Sequence, residues 1–336
     1  MRARILFVVP LSLLAATAAA AQPDLAPRVD SMFARYDAQS PGCAIGVAQN
    51  GRTLLSRAYG MADLEHDIPN TPETVFEAGS VSKQFTAAAI VLLARQGKLS
   101  LDDDVRRWIP EVPDYGTPIT LRHLLNHTSG LRDWGTVVQI AGWPRGTRIH
   151  THAHALDVIS RQKSLNFAPG EEFLYSNSGY NLLAMVVEKA SGVSFAEFSR
   201  RELFEPLGMT RTQWRDDFTR VVKGRAQAYV PVDSTWRQQM PFENVVGNGG
   251  LLTTVADHVL ERHLLVPGAV VEHVRLRAPP DHAGEVVTPL RARHPQRLEE
   301  LAAAELGEAH AARLLHHHRQ QVVAAVAVEE LLARCE

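Results

Sequence analysis

Apolar and polar residues alternate along this chain with several different periods. Val29, Met32, Phe33 and Tyr36 recur at helical spacing and predict a first amphipathic helix over residues 25–39. Residues 43–48 and 53–60 are short runs of β character joined by Gln49-Asn50-Gly51-Arg52, and Asn-Gly between two such runs predicts a hairpin. Residues 61–79 contain two prolines and read as irregular. Residues 87–94 (Ala-Ala-Ala-Ile-Val-Leu-Leu-Ala) are apolar all round, which predicts a buried helix stopped by Gly97.

A mostly helical region follows. Asp102, Asp103 and Asp104 suit a turn and the start of a helix, where acids are favoured. Thr120 is placed to cap a short helix over 121–126 that runs into His127-Thr128-Ser129-Gly130. Pro169-Gly170 predicts a turn, then an extended piece up to Asn177. Helices are predicted over about 179–190 and 195–203, and Gly247-Asn248-Gly249-Gly250 is expected to open another over 251–257. No internal repeat is visible.

The length, 336 residues with 45% apolar, allows a sizeable core in two lobes of one catalytic unit. A formal charge of −2 gives no electrostatic case for nucleic acid. The amino terminus has arginines, then an apolar run over 5–14, then an Ala-rich stretch to Ala21, and reads as a secretory signal over residues 1–21. The mature chain is therefore expected to be secreted or periplasmic, with no membrane anchor after cleavage. Cys43 and Cys335 are the only cysteines; Cys43 is read as a buried strand residue.

The candidate chemistry begins at Gly79-Ser80-Val81-Ser82-Lys83. Three residues apart, Ser80 and Lys83 share a helix face at its positive end. A serine hydroxyl needs a neighbouring base to become a nucleophile. A lysine serves as that base when burial or nearby cations lower its pKa. Far downstream, Tyr175-Ser176-Asn177 would project Tyr175 and Asn177 to one side of an extended loop. The phenol can relay a proton and the amide can hold a substrate amide.

Together these segments resemble the serine β-lactamase and penicillin-recognising family, in its class C and esterase-like branch, from about residue 29 to 257. The resemblance rests on Ser80-Val-Ser-Lys83-Gln-Phe, Leu124-Leu-Asn-His127-Thr-Ser-Gly130, Pro169-Gly170 leading to Tyr175-Ser-Asn177, and Gly247-Asn-Gly-Gly-Leu-Leu-Thr-Thr-Val-Ala-Asp257. It implies an α+β fold, an antiparallel sheet plus a helical domain with the site between them. It further implies acyl-enzyme formation at Ser80, acid–base work shared by Lys83 and Tyr175, substrate positioning by Asn177, and one oxyanion donor from the Ser80 N–H. The substrate would be a small molecule or peptide: a β-lactam, a D-alanyl peptide or a small ester. No cofactor or metal is called for. The His127 motif is implied to be a turn and the Gly247–Gly250 run a backbone turn.

The family's third motif, on a strand facing Tyr-x-Asn, has no convincing match; His282-Ala283-Gly284 fits the letters only. Residues 258–336 are compositionally foreign. All 11 Phe, 5 Trp and 6 Tyr precede residue 258, while 9 of the 15 histidines lie within 258–336. A β-rich lobe without aromatics is hard to pack. We read this tail as the product of a shifted reading frame in a GC-rich gene, against a replacement helical lobe or a diverged native terminus. On that reading the domain is incomplete and its activity impaired. A non-catalytic penicillin-recognising sensor is the rival from another class. His150, His152 and His154 would align on one strand face, a spacing that invites zinc, although a solvated loop explains it more simply.

Overall fold

The structure is a computed structural model; residues 25–49, 52–143, 149–239 and 243–262 are described. The leader at 1–21, the Asn50-Gly51 turn, His282-Ala283-Gly284 and the tail beyond 262 lie outside them.

The chain divides into two units, residues 1–35 and 36–336. The first holds α1 (Leu25–Phe33), whose buried residue is Val29. The helix stops short of the expected residue 39. Asp37 and Ser40 explain the early stop: the Asp37 N–H donates to Ser40 Oγ and the Gln39 N–H to Asp37 Oδ1, both at 2.9 Å. Such side-chain turns compete with helix continuation.

The second unit begins with β1 (Cys43–Gln49) and β2 (Arg52–Tyr59), an antiparallel pair with an irregularity between Val47 and Ala48. Cys43 is half-buried rather than buried. Short strands β3 (Met61–Asp63), β4 (Ile68–Pro69) and β5 (Phe76–Glu77) lead to a 3₁₀ turn, Gly79–Ser82, and to α2 (Lys83–Arg95). Then follow α3 (Leu121–Leu125), α4 (Trp134–Ile140), β6 (His150–Thr151), α5 (His152–Ser160), α6 (Asn177–Ser191) and α7 (Phe195–Ser199). The remaining elements are β7 (Gln213–Trp214), β8 (Tyr229–Val232), β9 (Thr235–Gln238), β10 (Glu243–Asn244), β11 (Leu251–Thr253) and α8 (Val255–Arg262). No helix among the described residues is long and apolar enough to cross a membrane.

The core forms where α2 packs on α6. In α2 the buried positions are Phe85, Thr86, Ala89, Ile90 and Leu93, one face at helical spacing. Val91 is 43% exposed, so α2 is not buried all round as its composition suggested. That property belongs to α6, where every residue from Ser178 to Val187 is buried. Each fully buried Leu or Val there contributes about 1.5–3 kcal/mol. The polar members of that run are tied down. Ser178 Oγ donates to Arg132 O at 2.7 Å, and Asn181 Nδ2 donates to Val246 O at 3.0 Å.

Two expectations fail on strand–helix ambiguity. Leu251–Thr253 is not helical but the central strand of an antiparallel β5-β11-β7 sheet, and the helix starts only at Val255. A short, fully buried apolar run has no period to separate the two states. The three histidines do not share a strand face. His150 lies in β6, paired in parallel with β10, whereas His152 and His154 open α5, capped by Thr151. His150 packs on Trp134, His152 Nε2 accepts from the Val246 N–H at 3.0 Å, and His154 is exposed. Their directions therefore diverge, and no shared zinc site forms. The small antiparallel sheets beside a helical core otherwise match the α+β expectation.

Candidate active site

Ser80 is exposed on the 3₁₀ turn ahead of α2, and Lys83, the first residue of the helix, is buried. The turn is pinned from behind. The Ala78 N–H donates to Leu251 O at 2.8 Å, joining the nucleophile's segment to β11. Ser82 Oγ donates to Gly79 O at 2.5 Å and accepts from the Leu251 N–H at 3.3 Å.

The residues singled out from sequence converge. Tyr175 OH lies 2.6 Å from Ser80 Oγ. Lys83 Nζ donates to Ser80 Oγ at 3.2 Å, to Asn177 Oδ1 at 2.9 Å and to the Asn248 carbonyl at 2.6 Å. The amine also sits over the Tyr175 ring, 4.8 Å from its centroid, and over Tyr180 at 5.6 Å. Tyr175 and Asn177 face the same way because Ser176 between them is extended.

Several supporting groups were not read from the sequence. Asn248 contributes a backbone carbonyl, which no side-chain pattern advertises. Its loop is fixed by Thr86 Oγ1 donating to Gly247 O at 2.8 Å and Asn181 Nδ2 donating to Asn248 Oδ1 at 2.9 Å. Gly247 has φ +95°, and a Cβ there would meet Tyr180 O at 2.6 Å. Only glycine combines that backbone with that approach. Asp133 receives the Asn177 N–H at 2.6 Å while capping α4 through the Thr136 N–H at 2.8 Å. One carboxylate therefore orients the starts of two helices.

His127 turns out to adjoin the site. Its ring lies 4.5 Å from that of Tyr175 and 5.1 Å from that of Tyr180. Burial first, and the Lys83 ammonium second, push its pKa down to about 4. The ring is therefore neutral at neutral pH. Burial likewise brings His152 to about 4.

An α+β chain with a serine and a lysine at the amino end of a core helix, faced by a Tyr-x-Asn loop, defines the β-lactamase/transpeptidase-like class. The chain belongs to the Beta-lactamase family, whose model matches residues 29–282. The match extends past residue 257, where the recognisable motifs end. Over 167 residues the chain is 40% identical to a penicillin-binding protein of Bacillus subtilis (strain 168), covering 49% of this chain and 36% of the relative. It is 30% identical to a D-aminopeptidase of Gluconobacter oxydans (strain 621H) over 231 residues, 69% of this chain and 43% of the relative. The chain thus spans less than half the length of these curated relatives. The octameric penicillin-binding protein homologue from Pyrococcus abyssi superposes with a TM-score of 0.63 at 30% identity, over 71% of this chain and 55% of the homologue.

Proposed function

We propose that this chain is an exported serine acyl hydrolase that forms an acyl-enzyme at Ser80. The observation that carries this is the 2.6 Å contact of Ser80 Oγ with the Tyr175 phenol, alongside the Lys83 amine at 3.2 Å. Oγ attacks the carbonyl carbon of an amide, ester or lactam, and its proton passes into the Tyr175–Lys83 pair. The same pair returns a proton to the departing amine or alcohol, and water then releases the acyl group. Asn177 holds a substrate amide beside the nucleophile, and the Ser80 N–H supplies one oxyanion donor. The D-aminopeptidase and penicillin-binding relatives support peptide-like or lactam substrates. The leader-like residues 1–21 support export, and mass analysis of the secreted chain for a start near Gln22 tests it.

On the shifted-frame reading of residues 258–336, the strand facing Asn177 that the family resemblance implies is lost, and with it the second oxyanion donor it would carry. One such donor contributes about 3 kcal/mol to the transition state. We therefore expect acylation with slow turnover. Intact-mass analysis after a fluorophosphonate or a fluorescent penicillin, with turnover of nitrocefin and a p-nitrophenyl ester in parallel, tests this. A stoichiometric adduct on Ser80, absent in Ser80→Ala, supports the proposal. Turnover undiminished in Ser80→Ala refutes it, and a penicillin adduct without turnover favours the sensor. Resequencing across codon 258 decides between the readings of the tail.

A further inference from the structure

His127 enters the sequence as part of a turn, yet the turn geometry does not account for its side chain. Its φ is +57°, in the left-handed region that glycine and asparagine occupy at least strain. A bulkier residue kept in such a conformation points to work done by its side chain.

The surroundings show what that work is. The two peptide N–H groups that flank Tyr175 both donate to His127: Leu174 N–H to its carbonyl at 3.0 Å, and Ser176 N–H to its Nδ1 at 3.3 Å. The imidazole plane lies 31° from that of the Tyr175 ring, with centroids 4.5 Å apart. Tyr180 backs the imidazole at 5.1 Å, and its own hydroxyl is held by Leu125 O at 3.0 Å. Phe173 meets it edge-on at 5.9 Å. Tyr175 itself is 38% exposed, and the Lys83 amine sits over its ring at 4.8 Å.

We infer that His127 is the positioning residue that sets the Tyr175 phenol on Ser80, clamping the tyrosine by both neighbouring amides and by its ring. This rests on the proposed role of Tyr175 in acyl transfer. Because Nδ1 accepts, the ring must be the neutral tautomer protonated at Nε2. Its electrostatic setting suits that form. Burial first, and Lys83 from α2 second, disfavour the cation, and together they outweigh Asp133 ahead of α4, which favours it. The phenols of Tyr175 and Tyr180 complete the titratable groups around it. A protonated ring would lose the acceptor for Ser176 and stand against Lys83.

The test uses the full chain labelled with ¹³Cζ-tyrosine, as wild type, His127→Phe and His127→Asn, with Tyr175→Phe to assign the signal. Phenylalanine keeps a flat ring and loses the acceptor. Asparagine tolerates the left-handed backbone and loses the stack, so it guards against misfolding. Two quantities are read: the Tyr175 carbon signal through a pH titration, and the rate of Ser80 labelling by a fluorophosphonate. We expect the Tyr175 titration to move in both variants, and the maximal labelling rate to fall about 10²-fold with little change in half-saturating reagent. A Tyr175 signal unchanged in both variants would overturn the inference. So would a loss of labelling that follows only the folded fraction. If the wild type is not labelled at all, the hydrolase reading fails and the tyrosine signal alone decides the role of His127.

Discussion

In α6 the residues from Ser178 to Val187 are all buried, whereas in the β1–β2 hairpin Leu55 is the buried residue among the described side chains. The hairpin strands pair only with each other among the described residues, with α8 lying against β1. The two regions have comparable apolar content but different neighbours. α6 is enclosed by α2, α3 and α7, and by the Val245–Asn248 loop. Every contact of Ser80, Lys83, Tyr175 and Asn177 described above falls in the enclosed region. The site's geometry is thus held by the helical half together with β11, which pins the Ser80 turn, and not by the hairpin.

Substitutions can sharpen or break this contrast. Ser80→Ala should reduce acyl transfer by about 10⁴-fold or more while leaving thermal stability near wild type, measured by nitrocefin or ester turnover and by calorimetry. Gly247→Ala forces a Cβ within 2.6 Å of Tyr180 O at φ +95° and should cost about 3 kcal/mol, read as a fall in the denaturation midpoint. Asp133→Ala removes the acceptor of two helix starts and should cost about 1–2 kcal/mol, with a parallel loss of labelling rate. Leu54→Ser, on the exposed side of the hairpin, should stay within about 0.5 kcal/mol. A hairpin substitution as costly as Gly247→Ala would erase the distinction between the regions.

Acid probes the helical half differently. His127 and His152 have folded pKa values of about 4, below the ordinary value of 6.5. Between those values the unfolded chain binds more protons than the folded one, so stability increases with pH. Their contribution is complete above about 6.5 and drains away as pH falls toward 4. Melting temperatures at pH 7 and pH 4.5 should show the loss, with a shallower slope in His127→Asn. A flat profile would mean that neither imidazole is held neutral by the fold.

Parts of this arrangement were legible in the order of residues. Ser80 and Lys83 share a face because helical spacing is local, and Thr120 caps its helix, accepting from the His123 N–H at 3.2 Å. Tyr175 and Asn177 were legible through their resemblance to a family motif; nothing local places them beside Ser80, from which Tyr175 is 95 residues away. Leu251–Thr253 misread as helix because both states bury such a run, and only the flanking β5 and β7 select the strand. Val91 could not be recognised as exposed, because which side of α2 meets α6 depends on packing rather than composition.

The sequence by itself determined the family, the hairpin, the principal helices and the four side chains at the proposed site, since these depend on short-range spacing or on motifs whose letters suffice. The tertiary structure alone decided that the Asn248 carbonyl meets Lys83, that Asp133 serves two helix starts, and that His127 brackets Tyr175. Those are contacts of backbone atoms and ring faces between segments far apart in the chain. Their geometry arises only when the α2–α6 core closes and brings the loops together.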